Sequence, residues 1–441
     1  MATSSQAAKA ARSRSSARRG RRLTREEKGT LGILALPTFA LALAITLVST
    51  YLSTVTRRYT QQTTIIGVII GSEGVMALWV PLIAGSWSDK LRTRIGGRLP
   101  FLIAGAVPAA AALSLIGFVS SLGLVALVAA VFFGFYFVAY EPYRAMYPDL
   151  LDEDRVAGRA QSTQALARGL GTGLALLGGG LLLSVARPLP FALAAVILVA
   201  AVGGFVVLAL RRVLSHRRQQ RNGNQARGPL HVVGRLQQLL REHPALRAYM
   251  FANALWETAL SALKAFVILY LTVGLRYKLN TASLIIGGVA VVILVGAAVA
   301  GKAGDRFGRV AVARIAVLAY GLGYLVPIFT TSKPLIAIGV PFIALGGGAV
   351  MTLAYAILMP LMPEDQHGLL TGFYSVSRGF GIVAGPILAG VAISLTSKGP
   401  FGATHGFQAM WVVCAAAALA SLLFLRKLAG VDEDRRGLAG R

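Results

Sequence analysis

Seven ionisable side chains stand out because the chain around them is almost entirely apolar: Glu73, Glu141, Arg144, Arg168, Glu257, Lys264 and Arg378. A charge inside a membrane-spanning helix costs roughly 2.5–3.5 kcal/mol at central positions, so each is by default a functional group. Two kinds of chemistry suit them. A carboxyl in low dielectric favours its neutral form and a neighbouring cation favours the charged form, so a proton can be loaded and released as surroundings change. A buried cation or polar amide can bind a polar solute. Glu73, in the middle of an apolar run, is the first candidate for the proton, and Glu141, three residues before Arg144, is the second. The competing reading of Glu73 is a permanently protonated carboxyl bonded to a neighbouring helix.

Spacing groups the remaining residues. Asn253, Glu257, Ser261 and Lys264 lie at i, i+4, i+8 and i+11, one face of a helix. Trp256 lies beside them, and a polar stripe with an indole nearby suits recognition of a hydroxyl-rich solute with an apolar face. The alternative is a structural Glu–Lys pair. Gln161, Gln164, Arg168 and Thr172 form a second stripe, and Thr371, Tyr374 and Arg378 a third. Arg168 and Arg378 either face each other across a central cavity or pair with acids such as Asp149 and Glu364 as gates.

The elements that must hold these groups are transmembrane helices. Of 441 residues, 56% are hydrophobic and only 14% charged, against about a quarter charged in ordinary soluble domains. Continuous apolar runs of roughly twenty residues, enough to span a bilayer core, predict twelve helices: 30–52, 64–84, 100–119, 122–140, 161–185, 189–210, 246–273, 281–300, 310–330, 334–357, 371–395 and 403–425. The fold class is therefore all-α membrane protein. The division is a basic tail (1–29), a six-helix bundle (30–210), a linker (211–245), a second six-helix bundle (246–425) and a tail (426–441).

The net charge of +27 is explained by topology. With the N-terminus inside, 34 of the 44 Lys and Arg fall in cytoplasmic segments, 7 in external loops and 3 within helices. That asymmetry predicts cytoplasmic N- and C-termini and needs no nucleic-acid partner; the basic N-terminal tail can touch anionic lipid. The polar first 29 residues lack the apolar core of a cleavable signal peptide. Cys414 is the sole cysteine, so no intrachain disulfide forms. No cofactor, metal-ligand spacing, Walker loop or other enzyme motif is expected, and a monomer suffices.

The halves repeat. Arg168-Gly169-Leu170-Gly171 matches Arg378-Gly379-Phe380-Gly381, and Gly85-Ser86-Trp87-Ser88-Asp89 matches Gly301-Lys302-Ala303-Gly304-Asp305. Six helices per half make the repeats parallel, with a solute site expected between them near the midplane. Gly301-Lys302-Ala303-Gly304-Asp305-Arg306-Phe307-Gly308-Arg309 resembles the major facilitator signature loop. Its glycine is expected to let helix ends approach. Asp305 would cap or pair near a helix N-terminus, and Arg306 and Arg309 would bridge to neighbouring helices as a cytoplasmic latch, unless they only set topology.

The first-half copy, Gly85 to Phe101 with Asp89, Arg92, Arg94, Gly96 and Arg98, resembles the corresponding loop of the glycoside–pentoside–hexuronide cation symporters, particularly their sucrose-transporter branch. Pro142-Tyr143-Arg144-Ala145-Met146-Tyr147-Pro148-Asp149-Leu150 resembles a second element of that branch. The resemblance implies a cation-coupled sugar transporter of the cell membrane, with Arg144 at the position tied to sugar transport. Phe133, Tyr140 and Ala77-Leu78-Trp79-Val80-Pro81 replace acids of the family's cation site, so a proton is expected as coupling ion rather than sodium. Gly385-Pro386 keeps a second reading open, proton-antiport export of a hydrophobic drug or metabolite. A non-transporting sensor or scaffold is disfavoured by the lack of a sizeable soluble domain.

Overall fold

The computed structural model describes residues 25–91, 93, 98–146, 154–213, 234, 238, 240–361 and 370–428. Among them are twelve long helices: α1 (Arg25–Thr56), α2 (Thr63–Lys90), α3 (Leu99–Leu115), α4 (Leu122–Ala145), α5 (Asp154–Val185), α6 (Leu189–Val213), α7 (Pro244–Leu269), α8 (Leu279–Phe307), α9 (Arg309–Phe329), α10 (Lys333–Leu358), α11 (Leu370–Thr396) and α12 (Ala409–Arg426). Eleven are long and apolar enough to cross a membrane, and α3 is a shorter apolar helix. The chain is thus an all-helical, multi-pass membrane protein. Large apolar side chains such as Trp79, Phe118, Phe329 and Leu395 are exposed on its surface. A bilayer removes the cost of that exposure.

The helix ends follow local chemistry. Ser121 accepts a hydrogen bond from the Leu124 backbone N–H at the start of α4, satisfying one of the donors a helix leaves unpaired. Proline stands in the first turn of α3, α7 and α10, where its missing N–H costs nothing. α7 ends in a π-helical turn, Tyr270–Gly274.

Three boundaries differ from the sequence expectation in a way that matters. The segment 301–309 is not a loop: α8 continues to Phe307 and α9 starts at Arg309, with Gly308 alone between them. Gly308 has φ +96°, a conformation L side chains rarely adopt. Charged residues can continue a helix once it has left the apolar layer, so hydropathy underestimates its length. For the same reason α2 runs on to Lys90, and α5 starts at Asp154 rather than 161.

Six connections gather at one end of the bundle. Tyr59 Oη and Arg187 Nη2 both donate to the Val119 carbonyl, Arg57 lies over the Phe407 ring and Lys333 over the Tyr277 ring, and Gln408 Nε2 donates to the Pro327 carbonyl. At the opposite end Arg309 donates to the Ala356 carbonyl and Arg314 to that of Leu425. Arg25 and Arg426, the ends of the first and last helices, lie at this opposite end because twelve helices alternate in direction.

The first six helices meet the last six along three seams, α2 on α11, α5 on α8 and α1 on α7. A β-carbon at Gly67 would strike the Pro386 carbonyl, and one at Gly390 the Thr63 carbonyl; only glycine permits these backbones to come so close. Tyr51 Oη and Ser283 Oγ hydrogen-bond across the halves at 2.9 Å. These contacts lie from the six-loop end toward the middle. Inward of them, Glu73 of α2 comes up against α7 and α11.

Candidate functional site

Where α1, α2, α7 and α11 converge, a narrow cavity is lined by Ser49, Ile70, Glu73, Glu257, Ser261, Lys264, Arg378, Ile382 and Pro386. Both halves contribute to it. The centre of a water molecule can sweep only about 10 Å³ inside, room for roughly one water. A solute of several heavy atoms therefore enters only when helices move apart.

Glu73 is buried, with 9% of its surface exposed. Ser49 Oγ of α1 donates to its Oε2 at 2.6 Å. Its charged neighbours are Lys264, Arg378 and Glu257, all from the other half. Across the cavity, Arg378 Nε donates to Glu257 Oε1 at 3.2 Å, with side chains 34% and 12% exposed. Glu257, Ser261 and Lys264 occupy the α7 face that the spacing predicts. Ser261 Oγ donates back to the Glu257 carbonyl at 2.6 Å and to the Gly381 carbonyl of α11 at 2.9 Å, which holds the two helices in register.

Two members of that stripe go elsewhere. Asn253 is fully buried and donates from Nδ2 to Ser377 Oγ at 2.8 Å, one turn too far toward the opposite end to reach the cavity. Trp256 donates from Nε1 to Ser421 Oγ of α12 at 2.8 Å. One residue before Glu257, it points about 100° around the helix, into the core of its own half and away from the cavity. Among the described lining residues there is no aromatic ring, so this conformation offers no indole platform for a sugar face.

The remaining charges lie nearer the opposite end. Glu141 Oε2 and Arg144 Nη1 are 3.7 Å apart, one turn apart on α4. Arg144 also lies 5.5 Å over the Tyr140 ring. Tyr140 stacks on Tyr136 with ring centroids 5.3 Å apart, and Arg144, Arg168 and Arg378 all act electrostatically on it. Arg168 and Arg378 thus approach the same tyrosine from the two halves. Arg378 pairs with Glu257; Asp149 and Glu364, the acids expected as gate partners, lie outside the described residues. Gln164 is drawn into α1, donating to the Leu34 carbonyl at 3.0 Å.

The signature segments are placed as follows. Arg309 pairs with Asp305 at 3.5 Å and bridges to α10 through Ala356. Arg306 instead lies over the ring of its neighbour Phe307 at 5.1 Å. Asp305, with a side chain 74% exposed, sits in the last turn of α8 and pairs with the first residue of α9. The close approach expected at Gly301 occurs one turn on: a β-carbon at Gly301 would have ordinary clearance, whereas one at Gly304 would lie 2.8 Å from Leu353 Cδ2. Gly85 lies within α2 with open space beside it, and Arg98 stands at the N-cap of α3. The Asp89 side chain lies outside the described residues. No group of three or more His, Cys, Asp or Glu able to hold a metal occurs among the described residues.

Sequence reasoning missed Ser49 and the Tyr136–Tyr140 stack. Ser49 carried a weak signal, a run of hydroxyls (Ser49, Thr50, Ser53, Thr54) in an otherwise apolar helix. The tyrosines carried none, since aromatic residues are ordinary in helix cores.

Comparison with known proteins agrees with this architecture. A stretch of 100 residues aligns at 29% identity with the uncharacterized MFS-type transporter YfiU of Bacillus subtilis (strain 168), a match spanning 23% of this chain and 19% of that relative. The crystal structure of the nucleoside transporter NupG superposes with TM-score 0.69 at 15% identity, covering 91% of this chain and 98% of the other. A bacterial homolog of the human lysosomal transporter Spinster, inward-facing and occupied, gives 0.72 at 12% identity over 92% and 97% of the two chains. The D-xylose-proton symporter gives 0.68 at 14% identity over 91% and 98%. At these identities the superpositions speak for the fold. The sequence itself matches one family over residues 34–282 and 258–439, nearly the whole of the twelve-helix bundle, and on that ground the chain belongs to the Major Facilitator Superfamily.

Proposed function

We propose that this major facilitator protein is a proton-coupled secondary transporter that moves a small polar solute across the cell membrane by alternating access. The rocking units are the six-helix halves 30–210 and 246–425, joined by the 211–245 linker. One observation carries the reading. Glu73, a buried carboxyl of the first half, shares a cavity with Glu257, Lys264 and Arg378 of the second. Separating the halves changes which cations Glu73 faces, and with them its hold on a proton. Conformation and protonation are coupled by that arrangement.

The distribution of Lys and Arg supports cytoplasmic termini. On that orientation the Tyr51–Ser283, Gly67–Pro386 and Thr63–Gly390 contacts lie on the external side and close the cavity outward. Arg144, Arg168 and the Arg309–Asp305 pair then lie toward the cytoplasm, where charged contacts can act as the inner gate. The loops around Asp89 and Arg144 that resemble sucrose-transporter-like symporters support a sugar or glycoside as the first class of cargo to test.

The test is uptake by proteoliposomes under an imposed inward proton gradient, with radiolabelled sugars offered first, sucrose and maltose beside their acidic relatives. Accumulation of any one of them that collapses with a protonophore is the expected result. If this folded protein accumulates no sugar, yet extrudes hydrophobic compounds against a proton gradient, the direction is export.

A further inference from the structure

The cavity holds more cationic hydrogen-bonding capacity than its acids use. Lys264 lines it, yet its ammonium makes no hydrogen bond or ion pair within 4 Å among the described residues. Arg378 binds Glu257 through Nε alone; its two terminal nitrogens have no partner among the described residues, and a guanidinium fork of this kind matches a carboxylate or phosphate in two-point contact. Lys264 and Arg378 project from adjacent helices into one space.

The groups facing Glu73 are Ser49 from α1, Tyr136 from α4, Glu257 and Lys264 from α7 and Arg378 from α11. With both acids ionised, the two acids and two bases of the cavity balance. When Glu73 takes a proton the balance is lost, and one positive charge is left uncompensated in a low-dielectric site, which is costly. A neutral solute leaves that charge in place, and a cation adds to it. A monoanion removes it. Arg144 and Arg168, both acting on Tyr140, set further positive charge along the approach from the opposite end, of which Glu141 offsets one.

We propose that the transported solute bears a negative charge, a carboxylate or phosphate held between Lys264 of α7 and Arg378 of α11. This rests on the transporter reading above and names its cargo class. One proton on Glu73 and one monoanion between the cations cross together, so the cycle moves no net charge.

The experiment uses the full chain in proteoliposomes under an inward proton gradient. They are offered an equimolar mixture of neutral sugars (glucose, sucrose, maltose), sugar acids (gluconate, glucuronate), sugar phosphates, small carboxylates and organic cations, and their contents are read by mass spectrometry. The expected result is accumulation of anions only, at a rate unchanged when valinomycin and potassium clamp the membrane potential. Lys264→Gln should slow that uptake about 10- to 100-fold, the loss of a charge-assisted hydrogen bond, and Lys264→Arg should keep most of it, with folding of each checked by size exclusion. Proton-driven accumulation of a neutral sugar or a cation overturns the cargo class and leaves the transporter reading standing; a folded Lys264→Gln protein that carries anions like the wild type overturns the seat of the anion on Lys264. No accumulation of any solute under either gradient direction overturns the transporter reading, and this inference with it.

Discussion

The two halves of the bundle hold their buried charge in opposite ways. In the first half Glu73 is met by a hydroxyl, Ser49, and among the described residues by no cation of its own half. In the second half Glu257 is met directly by Arg378, with Lys264 beside them. An acid bonded to a neutral donor can gain or lose a proton without breaking a direct ion pair. An acid bonded to a guanidinium cannot, because its neutralisation exposes a buried cation. On the proposed transport cycle the proton belongs to the first half and the fixed charge to the second, although each half contributes six helices.

Breaking the first half's side of the comparison should have the largest effect. With a pH difference of about two units, one coupled proton supports up to ~100-fold accumulation, each unit being ~1.36 kcal/mol. Glu73→Gln should abolish this accumulation, while exchange of labelled for unlabelled solute continues, since the amide stands in for the protonated carboxyl of the loaded site. Proton-driven accumulation at the wild-type level in Glu73→Gln would remove this residue from the mechanism.

The second half should break through stability instead. Glu257→Ala leaves Arg378 without its acid. A fully buried pair would cost about 3–5 kcal/mol on such truncation; with Arg378 34% exposed, about 2 kcal/mol is expected, read by thermal unfolding in detergent. Glu73→Gln should unfold within about 0.5 kcal/mol of the wild type, because Ser49 can donate to an amide oxygen as well as to a carboxylate. Equal destabilisation by both would erase the distinction between the halves. The smallest effect sharpens it: Ser49→Ala removes the Ser49 hydrogen bond to Glu73, worth about 1–2 kcal/mol, and should move the midpoint of the pH–uptake profile by roughly one unit without abolishing accumulation.

Much of the architecture was legible because a bilayer leaves few choices. Every backbone polar group must be satisfied within its segment, so each long apolar run declared a helix, and twelve were readable from composition and length. The site was legible only along single helices. The spacing of Glu257, Ser261 and Lys264 gave their common face. It could not tell that Asn253, on nearly the same azimuth, lies at the level of Ser377, or that Trp256 turns toward Ser421. Those depend on where α11 and α12 cross α7, which no local pattern encodes. The pairing of Glu257 with Arg378 joins residues 121 positions apart, and Ser49 became visible only once α1 was packed beside α2. Helix ends beyond the apolar layer, such as Gly301–Phe307, were misread as loop because hydropathy stops reporting where the membrane does.

The junction at Gly308 has a mechanical consequence. A connection of one residue stores no slack, so α8 and α9 can only turn as one lever about a stiff elbow, and displacement of α8 where Gly287 rests on Leu177 must swing α9 with it. Across the halves force passes through packed faces such as α5 on α8, while between α8 and α9 it is conducted by the chain itself.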